Sequence, residues 1–318
     1  MSWQSTVACW FMRRKFRPQT LRPTINAEHA RALTAKRAWT PRVPAGWTLR
    51  EQYAPDDAPM LGEWFERDGP AALAPAPVIL YLHGGGYYFC SPRTHRTIVF
   101  GLGTRTDARV FSLDYRLAPE HRFPAALDDA LAAYRRLLAA GTPAESIVIA
   151  GDSAGGGLAL ATLVALRDAG DTLPAGAILF SPWTDLAATG ATIRTNDGAD
   201  PMFSGPAIGR AAKLYLGDTP STNPYASPLY ADLSDLPPLF MQAGSTEVLL
   251  DDSRRVAERA RAANVPVEFE IWPKMPHVWQ IWGPFIPEAG RALDRAADFV
   301  RQVTRVRDDQ PSSAMSIV

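Results

Sequence analysis

Short apolar runs recur along the chain between residues 47 and 272, and longer segments with helical periodicity separate several of them. Apolar runs of this length are typical of strands that are buried in a sheet. The predicted strands lie near residues 47–53, 60–66, 78–82, 109–113, 146–150, 177–181, 238–243 and 267–272. The predicted helices lie near residues 124–139, 154–168, 251–263 and 287–305. This alternation predicts an α/β fold with a mostly parallel eight-stranded sheet, helices on both faces and an antiparallel edge formed by the first two strands.

The N-terminal region has a different pattern. Large apolar residues recur there at helical spacing before a basic stretch: Trp3, Val7, Trp10 and Phe11. The favoured interpretation is a cap helix that packs over the mouth of a pocket, and the alternative is an amphipathic helix that rests on a membrane. A second helix is predicted near residues 27–38.

These patterns predict three regions. Residues 1–45 form N-terminal cap helices, and residues 46–307 form the main domain, in which residues 187–222 contribute further cap. Residues 308–318 are polar and lack an apolar period, so we expect them to be disordered.

Composition narrows the class of protein. The chain has 318 residues, of which 47% are hydrophobic, so it can bury a large core. Lysine and arginine number 33, and aspartate and glutamate also number 33, so the formal net charge is zero and no nucleic-acid partner is indicated. The sequence has no metal-ligand spacing and no dinucleotide fingerprint, so neither a metal nor a cofactor is predicted.

Three features of the sequence indicate where in the cell the protein is located. Cys9 and Cys90 lie far apart without the spacing of a disulfide framework, which favours free thiols in a reducing environment. Basic residues follow the first apolar residues instead of preceding them, so no secretion signal is predicted. No uninterrupted apolar stretch reaches about 18 residues, so stable membrane insertion is not expected. Together they predict a cytoplasmic location.

The candidate chemistry begins at Gly151–Gly155, with the sequence GDSAG, between a predicted strand and a predicted helix. A G-x-S-x-G turn in this position is a nucleophile elbow, in which a strained backbone pushes the hydroxyl of Ser153 outward. The alternative is a structural glycine-rich turn that binds no ligand or holds a phosphate. Asp152 is interpreted as a supporting group that hydrogen-bonds the loops nearby.

A second glycine cluster follows the strand predicted at residues 78–82 and reads His83-Gly84-Gly85-Gly86. Consecutive glycines leave backbone N–H groups free to stabilise charge on a substrate oxygen, which is the task of an oxyanion hole. Gly85 and Gly86 are the favoured donors, Gly84 shapes the turn, and the N–H of Ala154 completes the set. His83 is expected to brace this loop.

A serine nucleophile needs a base and an acid that orients the base. Of the five histidines, His277 alone lies downstream of Ser153, in a loop after a predicted strand, where the base of this arrangement is expected. Carboxylates follow the strand at residues 238–243: Glu247, Asp251 and Asp252. Glu247 is preferred because it stands nearest the strand end, and Asp251 is the alternative.

Four motifs in order resemble the bacterial hormone-sensitive-lipase-like esterases, family IV of the lipolytic enzymes: HGGG from His83, DYRLAPE from Asp114, GDSAG from Gly151 and SPWTDL from Ser181. The resemblance covers roughly residues 75–300. It implies an α/β-hydrolase core, a small helical cap and hydrolysis of short- to medium-chain acyl esters, and it also suggests a homodimer. The chain departs from the family at the acid, because Glu247 stands where the family usually has the first aspartate of Asp-Pro-Leu-x-Asp.

The expected activity is therefore that of a serine carboxylesterase with a small ester as its substrate. The candidates for an acyl pocket lie in the predicted cap, and an ordinary packing role is the alternative for each: Met202, Phe203, Tyr215 and Leu216. Two alternatives remain at this stage. One is a related hydrolase that acts on a lactone, amide or carbamate, and the other is a non-catalytic binding protein on the same fold.

Overall fold

All eight predicted strands occur in the computed structural model, which describes residues 1–37, 39–58, 60–69 and 76–305. The strands are β1 (Trp47–Gln52), β2 (Gly62–Arg67), β3 (Val78–Leu82), β4 (Arg109–Leu113), β5 (Ile147–Asp152), β6 (Gly176–Phe180), β7 (Leu239–Gly244) and β8 (Val267–Trp272). They form one sheet in the order β1-β2-β4-β3-β5-β6-β7-β8. Strand β2 pairs antiparallel with β1 and β4, and the remaining neighbours are parallel. The predicted mostly parallel sheet with an antiparallel edge is confirmed.

Helices surround this sheet. They are α1 (Trp3–Lys15), α2 (Arg17–Thr20), α3 (Ala27–Arg37), α4 (Pro92–Thr106), α5 (Ala125–Ala139), α6 (Ala154–Asp168), α7 (Thr192–Thr195), α8 (Gly205–Leu216), α9 (Leu250–Ala262) and α10 (Pro287–Arg305). Helices α5, α6 and α9 contribute to the core on one face, and α4 and α10 contribute to the core on the other. None of the helices in the described ranges has both the length and the apolar run that crossing a bilayer requires.

Strand β3 shows why the sequences of the central strands are continuous apolar runs. Its residues Val78, Leu80 and Leu82 pack into one core cluster, whereas Ile79 and Tyr81 pack into the cluster on the opposite face. Successive side chains of a strand point to opposite faces, so a strand that is covered on both faces needs apolar residues at every position. The parallel strands end at one edge of the sheet, and the loops after β3, β5, β7 and β8 gather there.

Helix α4 was not among the predicted helices. Polar residues interrupt its apolar pattern, yet His95 and Arg96 are buried in the fold. Each is paired: His95 with Asp152 at 3.2 Å, and Arg96 with Glu63 at 2.6 Å. A buried polar group is stable when it has such a partner. Because the partners lie in other elements, the local sequence does not reveal that this segment is a buried helix.

The N-terminal helices occur as predicted, but the packing of α1 differs from the expectation. The stripe of Trp3, Val7, Trp10 and Phe11 is exposed, and the opposite face of α1 packs against the protein. Helices α7 and α8 lie within the region predicted to add to the cap. The predicted disordered tail, residues 308–318, lies outside the described residues, as does Ala38 at the end of the second predicted helix.

Candidate active site

Ser153 lies in the turn between β5 and α6, with backbone angles φ 53° and ψ −120°. Glycines are required around it because the turn brings backbone segments into contact. A Cβ on Gly155 would overlap the carbonyl oxygen of Leu82, and a Cβ on Gly151 would overlap the carbonyl oxygen of Gly155. The N–H of Ser153 donates to the carbonyl of Phe180 at 2.8 Å, which fixes the turn to the neighbouring strand β6.

A chain of short hydrogen bonds joins the loops after β5, β7 and β8. Ser153 Oγ lies 2.8 Å from His277 Nε2, and His277 Nδ1 lies 2.8 Å from Glu247 Oε2. The carboxylate can only accept, so Nδ1 carries the proton and Nε2 is free to accept from the serine hydroxyl. The structure therefore brings together three side chains that are separated by up to 124 positions in the sequence.

Glu247 is held in place by further contacts. Its Oε1 accepts from the hydroxyl of Ser181 at 2.7 Å and from the N–H of Gly244, and its side chain is fully buried. Asp251, the alternative acid, points elsewhere: its carboxylate accepts from the N–H of Thr192 at 3.0 Å and pairs with Arg254. The geometry therefore favours Glu247 as the partner of His277.

The environment of His277 shifts its protonation equilibrium. Burial alone would lower the pKa of His277, but the hydrogen bond and the negative charge of Glu247 outweigh burial, and the pKa is raised from 6.5. A raised pKa means that the imidazole holds a proton more readily than a free histidine does. The site is thus able to stabilise the cationic form of His277 that a proton transfer from Ser153 would generate.

The glycine loop after β3 presents uncommitted backbone donors. The N–H of Gly84 is engaged, because it donates to Asp152 Oδ1 at 3.0 Å. In the described part of the chain, the N–H groups of Gly85, Gly86 and Ala154 donate to no protein acceptor. Gly85 has φ 117°, and a Cβ there would overlap the carbonyl oxygen of Phe89, so this position requires glycine.

Asp152 supports both the glycine loop and the serine turn. Its Oδ1 accepts from the hydroxyl of Tyr81 at 2.6 Å as well as from Gly84, and its Oδ2 lies 3.2 Å from His95 Nε2. Burial alone would raise the pKa of Asp152, but His95 and the hydrogen bond from Tyr81 outweigh burial and lower it. The sequence interpretation of Asp152 as a supporting group did not identify Tyr81 and His95 as its partners, because nothing in the sequence around either residue indicates this contact.

His83 is enclosed beneath the same loop. Its Nδ1 donates to the carbonyl of Gly84 at 2.7 Å, and its ring stacks on that of Tyr115 with centroids 4.4 Å apart. Burial and the nearby His95 lower the pKa of His83 to about 3, so this ring stays neutral at physiological pH. Within the described ranges, no three His, Cys, Asp or Glu side chains are grouped in a way that would hold a metal ion.

The four predicted pocket residues have different surroundings. Phe203 packs edge-on against His277, with ring centroids 5.0 Å apart, and Met202 lies beside it in the chain, half-buried. Tyr215 stacks on Tyr87 with centroids 3.8 Å apart, and Leu216 is buried in the same core cluster. The structure thus places Phe203 next to the site and packs Tyr215 and Leu216 into the core.

Asp200 was missed by the sequence analysis. Its buried carboxylate accepts from the N–H groups of Met202 and Phe203 at 2.7 and 3.0 Å, and from the N–H of Val248 at 2.9 Å. Val248 directly follows Glu247, so Asp200 ties the loop that carries Phe203 to the loop that carries the acid. Its position before Pro201 was visible in the sequence, but only the fold shows its partners.

Arg17 extends this connection to the N-terminal helices. Its guanidinium donates to the carbonyl oxygens of Asp200, at 2.9 Å, and of Phe203, and it pairs with Asp197 at 2.9 Å. The N-terminal helices and the segment around residue 200 are therefore hydrogen-bonded to each other beside His277.

The chain is similar to known proteins in both sequence and fold. A family model described as alpha/beta hydrolase fold matches residues 79–281. An acetyl-hydrolase of Streptomyces hygroscopicus is 48% identical over 226 residues, which are 71% of this chain and 76% of that protein. An esterase of Acinetobacter venetianus is 39% identical over 230 residues, which are 72% of this chain and 76% of that protein.

Solved structures agree with the sequence relatives. An esterase of the bacterial hormone-sensitive lipase family has a TM-score of 0.86 and 39% identity, and the match covers 96% of this chain and 99% of that one. An esterase/lipase from an uncultured bacterium has a TM-score of 0.88 and 38% identity, covering 96% of this chain and all of that one. The chain belongs to the alpha/beta hydrolase family, and its resemblance to the bacterial hormone-sensitive-lipase-like esterases is confirmed.

Proposed function

We propose that the protein is a serine carboxylesterase in which Ser153 is the nucleophile, His277 the base and Glu247 the acid that orients the base. The observation that carries the proposal is the unbroken chain of two 2.8 Å hydrogen bonds from the serine hydroxyl to the carboxylate. Nucleophile, base and orienting acid within hydrogen-bond reach are the geometry of covalent acyl transfer.

The reaction class has independent support. Relatives that are 35–48% identical to this chain over 226 to 242 aligned residues are named esterases, carboxylesterases or acetyl-hydrolases. One structural neighbour, EstE5, which is 39% identical, was soaked with p-nitrophenyl butyrate. The protein is a carboxylic ester hydrolase of this family. The homodimer and the cytoplasmic location stay predictions.

In the first half of the proposed reaction, His277 Nε2 takes the proton of Ser153 as Oγ attacks the ester carbonyl carbon. The negative charge that develops on the carbonyl oxygen is stabilised by the N–H groups of Gly85, Gly86 and Ala154, which need no rearrangement to accept it. The imidazolium is stabilised by Glu247. His277 then donates its proton to the leaving alcohol, and the acyl group remains bonded to Ser153.

In the second half, water replaces the alcohol. His277 takes a proton from the water, whose oxygen attacks the acyl carbon, and the same backbone donors stabilise the oxyanion again. Collapse of this intermediate breaks the bond to Ser153 Oγ, which recovers its proton from His277. The carboxylic acid leaves, and the site returns to its starting state.

The acyl chain is proposed to be short or medium in length. Ser153 is buried, Phe203 packs against His277, and Arg17 of α2 donates to the backbone carbonyl of Phe203. A covered site of this kind limits the length of chain that can lie next to the nucleophile.

The test combines turnover with covalent labelling. We expect p-nitrophenyl butyrate to be hydrolysed faster than p-nitrophenyl palmitate at equal dispersed concentration, because the proposed covered site would hold a butyryl chain and exclude a palmitoyl chain. A p-nitrophenyl phosphonate should label the peptide that contains Ser153, as read by mass spectrometry. Labelling of a different residue would contradict the assignment of the nucleophile, and a higher rate on palmitate would contradict the short acyl site.

Activity should depend on pH through His277. The base must be neutral to accept the proton of Ser153, and the pKa of His277 is raised from 6.5, so activity should fall with decreasing pH at a midpoint above this value. We expect kcat/KM for p-nitrophenyl acetate to decrease about tenfold per pH unit on the acid side. A profile that stays flat down to about pH 5 would show that His277 is not the base.

A further inference from the structure

Helix α1 carries an exposed apolar face that the proposed activity does not use. Trp3 is 73% exposed, Val7 54%, Trp10 56% and Phe11 40%. The guanidinium of Arg14 lies 4.8 Å from the ring centre of Trp10, within the same face. Large contiguous apolar surface of this kind on a folded protein is a mark of an interaction site.

The opposite face of α1 attaches the helix to the rest of the protein. Ser2 and Ser5 donate to the carboxylate of Glu288, each hydroxyl at 2.8 Å, and Met12 is fully buried. Arg13 donates to the carbonyl oxygens of Gly198 and Ala199 at 2.8 and 2.9 Å. Because these contacts attach α1 through its buried face, the aromatic residues on its exposed face are available to bind another molecule.

The charge of the N-terminal segment indicates what it binds. Residues 1–27 contain no aspartate or glutamate, although basic and acidic residues are equal in number in the whole chain. The basic residues of the segment are Arg13, Arg14, Lys15, Arg17 and Arg22. Arg13, Arg14 and Lys15 are exposed at the end of α1, next to the aromatic face. Aromatic rings beside exposed cations, on a helix that lies along the surface, match the interface of an anionic lipid bilayer.

We propose that the exposed face of α1 binds the surface of anionic lipid bilayers. The rings of Trp3, Trp10 and Phe11 would enter the headgroup region, and Arg14 and Lys15 would pair with lipid phosphates. A second copy of this chain fits less well, because residues 1–27 of each copy contain no carboxylate that could pair with the basic residues of the other. The binding is peripheral and does not depend on ester hydrolysis.

The experiment measures binding without any substrate. The protein is sedimented with vesicles of phosphatidylcholine alone and with vesicles of equal parts phosphatidylcholine and phosphatidylglycerol. One variant combines Trp3→Gln, Trp10→Gln and Phe11→Gln, and a second combines Arg14→Glu and Lys15→Glu. One matched control combines Tyr53→Gln and Ile271→Gln, which replace exposed apolar residues outside the N-terminal helices. The other combines Arg93→Glu and Arg136→Glu, which replace exposed basic residues of α4 and α5.

We expect the wild type to bind the anionic vesicles and to release them at high salt. The aromatic variant should bind them at least about 10-fold more weakly, and the charge-reversed variant should lose on the order of 10-fold, whereas both controls bind as the wild type does. Unchanged hydrolysis of a soluble ester by all variants shows that they are folded. The proposal is overturned if the wild type does not bind, if the controls lose as much as the variants, or if sedimentation velocity shows instead a dimer that the aromatic variant dissociates.

Discussion

Replacing Ser153 by alanine is expected to lower kcat on a soluble ester by about a million-fold, to a rate close to that of the backbone donors alone. The hydroxyl is the atom that bonds to the acyl group, and no other side chain in the described structure is within hydrogen-bond distance of His277 Nε2. Alanine removes one oxygen at a nearly buried position, so the fold should survive. Initial rates with p-nitrophenyl butyrate, with the spontaneous rate subtracted, measure the effect.

A matched control exists in the chain. Ser253 in α9 is also buried, and its hydroxyl has no hydrogen-bond partner among the described residues, so Ser253→Ala should leave kcat nearly unchanged. A double variant of Ser153→Ala with His277→Ala should be no slower than Ser153→Ala alone, because the two side chains act as a unit. If Ser153→Ala keeps more than about one hundredth of the wild-type rate, Ser153 is not the nucleophile.

Replacing Glu247 by glutamine is expected to lower kcat on the order of 10,000-fold with little change in KM. Glutamine can still contact His277 Nδ1, but as a donor it would favour the tautomer with the proton on Nε2, which cannot accept from Ser153. It also removes the negative charge that raises the pKa of His277. Steady-state kinetics on a soluble ester, together with the thermal midpoint of unfolding, separate lost chemistry from lost structure.

Asp251→Asn is the comparison that decides between the two carboxylates. Asp251 contacts Thr192 and Arg254 rather than His277, so this variant should change kcat by no more than a few-fold. A larger loss for Asp251→Asn than for Glu247→Gln would transfer the role of the acid to Asp251. Glu247→Asp should retain intermediate activity, because its carboxylate is held one methylene short of His277.

The sheet could be predicted from the sequence because each central strand is buried on both faces. In β3 every residue is apolar, and this pattern is local, so it identifies the strand without knowledge of its neighbours. Helix α4 shows the opposite case. From the sequence alone, His95 and Arg96 are typical of surface residues. Their partners, Asp152 and Glu63, lie far away in the sequence, so only the fold shows that both residues are buried and paired.

Some residues of the candidate site could likewise be predicted from the local sequence, and others could not. Ser153, the glycine loop and His277 stand in short motifs whose spacing reflects the turn each must form, so they could be found in the sequence. Asp200 and Arg17 could not, because each acts through contacts between segments about 50 or more positions apart. For Tyr215 the sequence left two roles open, lining the acyl pocket or ordinary packing, and its stack with Tyr87 favours packing.

The backbone of Ser153 has a consequence for how the protein can evolve. A serine at φ 53° and ψ −120° occupies a region that glycine adopts far more readily, at a cost of about 1–3 kcal/mol. That is a substantial part of the roughly 5–15 kcal/mol by which such a domain is stable. A chain with glycine at this position would therefore be more stable to heat but would lack the nucleophile. Selection for turnover keeps this protein below the stability that its own fold could reach.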